Sequence, residues 1–272
     1  MADRQHDYEN FMATLLMTKA IRSPALVVRA FNVEIARIQD QTTDAQTAAF
    51  RLQFWQDALK EIYTNRQHDY ENFMATLLMT KAIRSPALVV RAFNVEIARI
   101  QDQTTDAQTA AFRLQFWQDA LKEIYTSEQS LQNIPANPIA QELFKICCCY
   151  NLPRRHLERL ISSRSSLLKT KYFRTLEDVE RYSDETVSSI YYLILKVAGV
   201  ENVNADHVAS HLGKAQGISN TLRSIRISNH HKMVSLPMDT LMKNHVSQEM
   251  VLRGVDSDSM RSVAFEVASR AN

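Results

Sequence analysis

The 61 residues from Arg4 to Thr64 recur without one difference from Arg66 to Thr126. Two identical segments have identical preferences for helix, strand and core. The chain of 272 residues therefore carries the folding information of one 62 residues shorter. Solenoid repeats keep their core positions while their surfaces drift, and here the surfaces are as alike as the cores. The identity marks a very recent in-frame duplication or a gene-model artefact, not a repeat architecture. The second copy runs directly into unique sequence, which makes it the one expected in the fold. If both are translated, two identical segments compete for one place in the core, and the loser swaps, docks elsewhere or exposes its apolar face.

Within each copy the apolar residues recur at helical spacing. Tyr8, Phe11, Met12, Leu15 and Leu16 set the pattern in the first copy. Ser23 followed by Pro24 reads as a helix start, predicting a helix from Pro24 to Asp40 and another from Asp44 to Tyr63. The second copy repeats these as Tyr70–Ala82, Pro86–Asp102 and Asp106–Tyr125. Residues 127–137 read as a polar linker. Further helices are expected from Pro138 to Tyr150, from Pro153 onward, from Thr175 to the stop at Gly199, and from Asp206 to Arg223. Thr175 and Asp178 resemble a capping box with Asp in place of the usual Glu or Gln. Residues 224–237 read as irregular and basic, ahead of helices Ser247–Arg253 and Ser257–Ala271. Only 4 glycines and 6 prolines punctuate the chain, which argues against Gly-rich phosphate loops and turn-dense sandwiches. The predicted fold class is all-α.

Each copy has 7 basic and 7 acidic residues, and the whole chain has a net charge of +2. That balance argues against a nucleic-acid partner. Cys147, Cys148 and Cys149 are consecutive, which matches neither a metal-ligand spacing nor a disulfide framework, and predicts buried or half-buried thiols in a reducing compartment. No run reaches the roughly 18 apolar residues of a membrane span. The N-terminal stretch MADRQHDYEN reads as neither a signal nor a transit peptide.

Three stretches resemble the squalene/phytoene synthase family. They are RAFNVEIARIQD at Arg29–Asp40 and Arg91–Asp102, TLEDVERYSDETVSSI at Thr175–Ile190, and HLGKAQGISNTLRSI at His211–Ile225 followed by Ser235–Pro237. In the third, Gly213, Ala215, Asn220, Leu222, Arg223, Leu236 and Pro237 fit the family signature. The resemblance covers nearly all of residues 68–272 and implies an isoprenoid-synthase-like helical bundle around a central cavity. Its domain is residues 66–272, after a duplicate over 1–65. The family carries further C-terminal helices, so the domain is expected to be truncated there.

Such an enzyme ionises an allylic diphosphate with Mg²⁺ held by two aspartate-rich motifs. The resemblance implies aspartates at 98, 99 and 102, where this chain has Ala98, Arg99 and Asp102. It implies two more after Arg223, where Ser224 and Ser228 stand. One carboxylate of five remains. A lone aspartate beside an arginine reads as a salt-bridged pair, so the expectation is a degenerate cavity with no catalytic residue, no metal and no cofactor. Asn220 and Arg223 remain pocket positions, and Arg223 is the implied diphosphate contact for any ligand that binds.

The wording RAFNVE, ADHVASHLGKAQG and SLPMD resembles a branch of the superfamily that keeps the fold without the aspartate motifs. That resemblance implies a non-catalytic, matrix-side mitochondrial factor in early assembly of the membrane arm of respiratory complex I. Its partners would be complex I subunits or other assembly factors, with peripheral association at the inner membrane. The alternatives are a prenyl diphosphate transferase with substituted metal ligands and an isoprenoid or lipid carrier. His207 and His211 are spaced for a metal but read as cavity-lining histidines. His230 and His231, with Arg226 and Lys232, read as a solvated loop. Tyr182, Tyr191 and Tyr192 read as core and pocket lining.

Overall fold

The computed structural model describes residues 49, 52–53, 76, 79–104, 106–126, 133–225 and 234–271, with backbone alone at 81 and 102. The chain divides into two units, Met1–Arg84 and Ser85–Asn272, and the helical bundle belongs to the second. The helices expected in the first copy, the helix Tyr70–Ala82 over most of its length, and residues 226–233 lie outside the described residues.

All regular structure among the described residues is helical. The first helix, α1, is Lys81–Gln103. It begins five residues before the expected start at Pro86, because Thr80 O accepts from Ile83 N and Arg84 N at 3.1 and 2.9 Å. Pro86 then falls in the second turn, where it forfeits one N–H and is buried beside Ala87. Next come α2, Ala107–Thr126, α3, Pro138–Tyr150, and α4, Arg154–Thr170. Asn137 caps α3 by accepting from Ile139 N and Ala140 N, with Pro138 at the first helical position. Pro153 proves to be the residue just before α4.

The helix expected from Thr175 to Gly199 exists but is not uniform. It runs as α5, Leu176–Ser183, a π segment, Asp184–Ser188, and α6, Ser189–Val197. The capping box is complete. Asp178 N donates to Thr175 Oγ1 and Thr175 N to Asp178 Oδ2, both at 3.3 Å. Gly199 stops the helix at φ +70°. Helix α7, Val203–Ser224, starts three residues before the expected Asp206 because Asn202 caps it through Asn204 N at 2.8 Å. The short α8, Met238–Lys243, has no counterpart among the expected helices. Helices α9, Gln248–Leu252, and α10, Asp258–Ala271, each follow a serine whose Oγ accepts a first-turn N–H.

Helix α7 is the hub, packing against α5, the π segment, α6 and α10. Two glycines permit that approach. A Cβ on Gly213 would lie 2.6 Å from Ser188 Cα and N, and one on Gly217 would lie 2.9 Å from Ser183 Cα. Ser188 Oγ donates to Ser210 O at 3.2 Å, and Ser210 Oγ donates to Asp184 Oδ1 at 3.1 Å, stitching the π segment to α7. Beneath these contacts Leu167, Val179, Ile218, Leu236, Leu241, Val263 and Val267 form an apolar core. On the other side α2 packs on α3 and α4, and Trp117 meets Phe93 of α1 edge to face at 5.3 Å.

Tyr125 OH donates to Leu152 O at 2.8 Å and touches Cys147 Sγ at 3.5 Å. Burial pushes the Cys147 thiol up to about 12, so it stays protonated. Cys148 and Cys149 are exposed, not buried or half-buried as their sequence context suggested. Consecutive helix positions point about 100° apart, and only the first meets the core.

Candidate functional site

Helix α1 turns Arg91 and, three residues on, Asn94 toward the bundle, whereas Ala98, one turn further, is exposed. Arg91 is buried, and burial pulls its pKa down while the nearby Tyr191 phenol opposes the shift. Across the bundle α4 carries Arg164 on the side of Leu160, Ile161 and Leu167, all buried. Its guanidinium spans two helices. Nη1 donates to Leu160 O and Nη2 to Asn94 Oδ1, both at 2.7 Å. Burial lowers the Arg164 pKa as well, against an upward pull from Tyr182. Arginine stays protonated through such shifts. Two positive charges therefore stand inside this part of the bundle.

Two tyrosines complete the face. Tyr191 OH donates to Gln216 Oε1 of α7. Tyr182 packs on Phe173 with ring centroids 5.3 Å apart and lines a cavity of about 310 Å³ between α4 and α5. The cavity also meets Ser163 and Leu167 of α4. Its charged wall is Arg174, Glu185 and the ion pair of Arg181 with Asp178. On α4, His156 is buried and stacks on Tyr192 at 4.9 Å, and burial first, then Arg155 and Arg159, holds it down at about 4. It accepts from Arg155 Nε at 3.2 Å, and its Nδ1 finds no partner among the described residues.

The residues named from sequence are distributed unevenly. Ala98 is exposed and Arg99 half-buried, and the side chain of Asp102 is outside the described atoms. Asn220 is half-buried, with its Oδ1 buried and unpartnered among the described residues. Arg223 is exposed. Ser224 Oγ turns back to Thr221 O at 2.7 Å. Ser228, His230 and His231 lie outside the described residues. His207 and His211 are exposed on α7, so they do not line an interior cavity. The three tyrosines are half-buried, as core and pocket lining would be.

The tie that joins α1 to α4 runs through Asn94 and Arg164, which sequence reasoning passed over. The only signal was an arginine in an apolar stripe, four residues after Leu160 and three before Leu167. This donor set does not fit a magnesium ion. Mg²⁺ takes hard oxygen ligands, usually carboxylates, whereas the described side chains on the face are guanidinium, amide and phenol. Among the described residues no group of three or more His, Cys, Asp or Glu is placed to hold a metal.

The squalene/phytoene synthase family profile matches residues 3–68 and again 65–272, so it reads both copies of the repeat. The chain is 39% identical over 207 residues to NADH dehydrogenase (ubiquinone) complex I, assembly factor 6, of Bos taurus. That alignment covers 76% of this chain and 61% of the relative, so the chain spans less than two thirds of its length. Phytoene synthase of Rhodobacter capsulatus is 23% identical over 213 residues, covering 76% of this chain and 60% of that one. In fold, the squalene synthase HpnC of Alicyclobacillus acidocaldarius superposes with a TM-score of 0.63 at 18% identity, over 84% of this chain and 81% of that one.

Proposed function

The chain belongs to the squalene/phytoene synthase family, and from that premise we propose that it is a non-catalytic assembly factor for mitochondrial respiratory complex I. It acts early, in biogenesis of the membrane arm, from the matrix side of the inner membrane. Its partners are complex I subunits or other assembly factors, and its association with the membrane is peripheral. No helix among the described residues is long and apolar enough to cross a membrane.

One observation carries the non-catalytic part of this reading. Helix α1, to which the family resemblance gives a metal-binding motif, is tied to the Arg164 guanidinium through Asn94, one turn before Ala98. A fixed cation there disfavours a divalent ion, by Coulomb repulsion in a medium of reduced dielectric. The assembly role is supported by the higher identity to the bovine assembly factor than to the bacterial phytoene synthase.

Two measurements test the pair of claims. Purified chain incubated with farnesyl or geranylgeranyl diphosphate and Mg²⁺ should give no product. Clear turnover that Asp102→Ala abolishes would overturn the non-catalytic reading. Removing the protein from cells should deplete assembled complex I and spare the other respiratory complexes.

A further inference from the structure

We propose that the first copy of the repeat makes this chain self-associate: the helix around Leu52 offers an apolar seam that pairs with the same seam of a second copy of the chain. Leu52 and Leu114 are one position of two identical segments, and both stand in helix. Leu114 is 2% exposed, whereas Leu52 is 39% exposed. Sequence and local structure are shared, so the two leucines differ in what covers them. In the second copy the cover is α3 and α4, against which α2 packs. The sequence of α3 and α4 occurs once in the chain, and α2 already takes that surface. Cover of the same kind for Leu52 has to come from outside the bundle.

The seam is built to fit a partner like itself. On α2 the buried Ala110, Leu114, Trp117, Leu121 and Ile124 follow one another in steps of four, three, four and three. That is the heptad spacing by which two like helices interlock their side chains. The first copy repeats the spacing as Ala48, Leu52, Trp55, Leu59 and Ile62. In a parallel pair the flanking positions bring Asp44 to Ala49, Arg51 to Gln56 and Ala58 to Tyr63, so no like charges oppose each other. Each copy carries 7 basic and 7 acidic residues, and two copies approach without net repulsion. One patch meeting itself closes after two chains, which makes the product a dimer. The competing apolar face is the outer side of α2, where Phe112 and Phe116 are exposed. Self-association is independent of the assembly role, and either can fail without the other.

The test is sedimentation velocity of the full chain over a concentration series reaching tens of micromolar. A reversible monomer–dimer equilibrium is expected. Leu52→Lys, which puts a charge in the seam, should raise the dimer dissociation constant about a hundredfold or more, and Leu52→Met should keep it within about tenfold. Phe112→Ser should leave the dimer intact. A chain that stays monomeric throughout, a dimer that Leu52→Lys does not weaken, or one that Phe112→Ser dissociates overturns the proposal. Should Leu52→Lys lose its helical circular dichroism, Leu52→Ala decides: dimerisation weakened about tenfold or more supports the seam, and unchanged dimerisation overturns it.

Discussion

Arg164 on α4 donates a hydrogen bond of 2.7 Å to Asn94 Oδ1 on α1, seventy positions away in the chain. This contact fixes the distance between the helix that resembles a first metal-binding motif and the opposite wall of the bundle. Asn94→Leu removes the acceptor and leaves an N–H of a half-buried cation unmet. Urea denaturation should show a loss of about 1–3 kcal/mol. Asn94→Asp, which supplies a countercharge, should cost less. Equal losses for both variants would show that the amide acts by shape alone.

The approach of α7 to the π segment rests on two missing side chains. Gly213→Ala drives a methyl group into Ser188 backbone, which cannot move without shifting the segment. A destabilisation of about 1–3 kcal/mol is expected. Gly217→Ala meets Ser183 mainly through its side chain, so Ser183→Gly should restore part of the loss there. Thermal melts of the two single variants and the double variant check this. Full tolerance of Gly213→Ala would contradict the packing.

The Thr175–Asp178 capping box starts α5 beside the cavity. Thr175→Ala removes the hydroxyl that accepts from Asp178 N and should cost about 1 kcal/mol. Asp178→Asn, which keeps an acceptor while removing the charge, should cost less. Chemical denaturation of the two variants ranks them.

His156 makes stability depend on pH with a defined sign. Its folded-state pKa of about 4 lies below the ordinary 6.5, chiefly because of burial. The unfolded chain therefore binds a proton that the folded chain refuses. The contribution is intact above 6.5 and is lost progressively as pH falls from there toward 4. Unfolding free energy measured across that window should slope downward with falling pH, and His156→Phe should flatten the slope. An unchanged slope would place the titration elsewhere.

What the sequence disclosed and what it hid divide by range. Asn137–Pro138, Thr175–Asp178 and Gly199 act on backbone groups within a few residues, so their helix boundaries were legible. Ser85–Pro86 carried the same kind of signal and misled, because Thr80 caps the helix a turn earlier and the second turn absorbs the proline. The π segment has no local signature, and it lies where Ser188 and Ser183 meet the two glycines of α7. The candidate site was legible only by family resemblance, which points to Ala98, Arg99 and Asp102. The Arg164–Asn94 tie is tertiary and spans 70 positions, beyond any spacing rule. Arg164 showed only as a charge out of place on an apolar stripe.

The central claim is that a chain of this synthase-related family serves complex I without doing synthase chemistry. The most direct measurement is assembled complex I in cells lacking the protein and supplied with the chain carrying Asp102→Ala, quantified against the other respiratory complexes. Complex I should fall selectively on loss and return with the variant as fully as with the unaltered chain. Complex I that is unaffected by the loss, or that returns only with Asp102 intact, would contradict the claim.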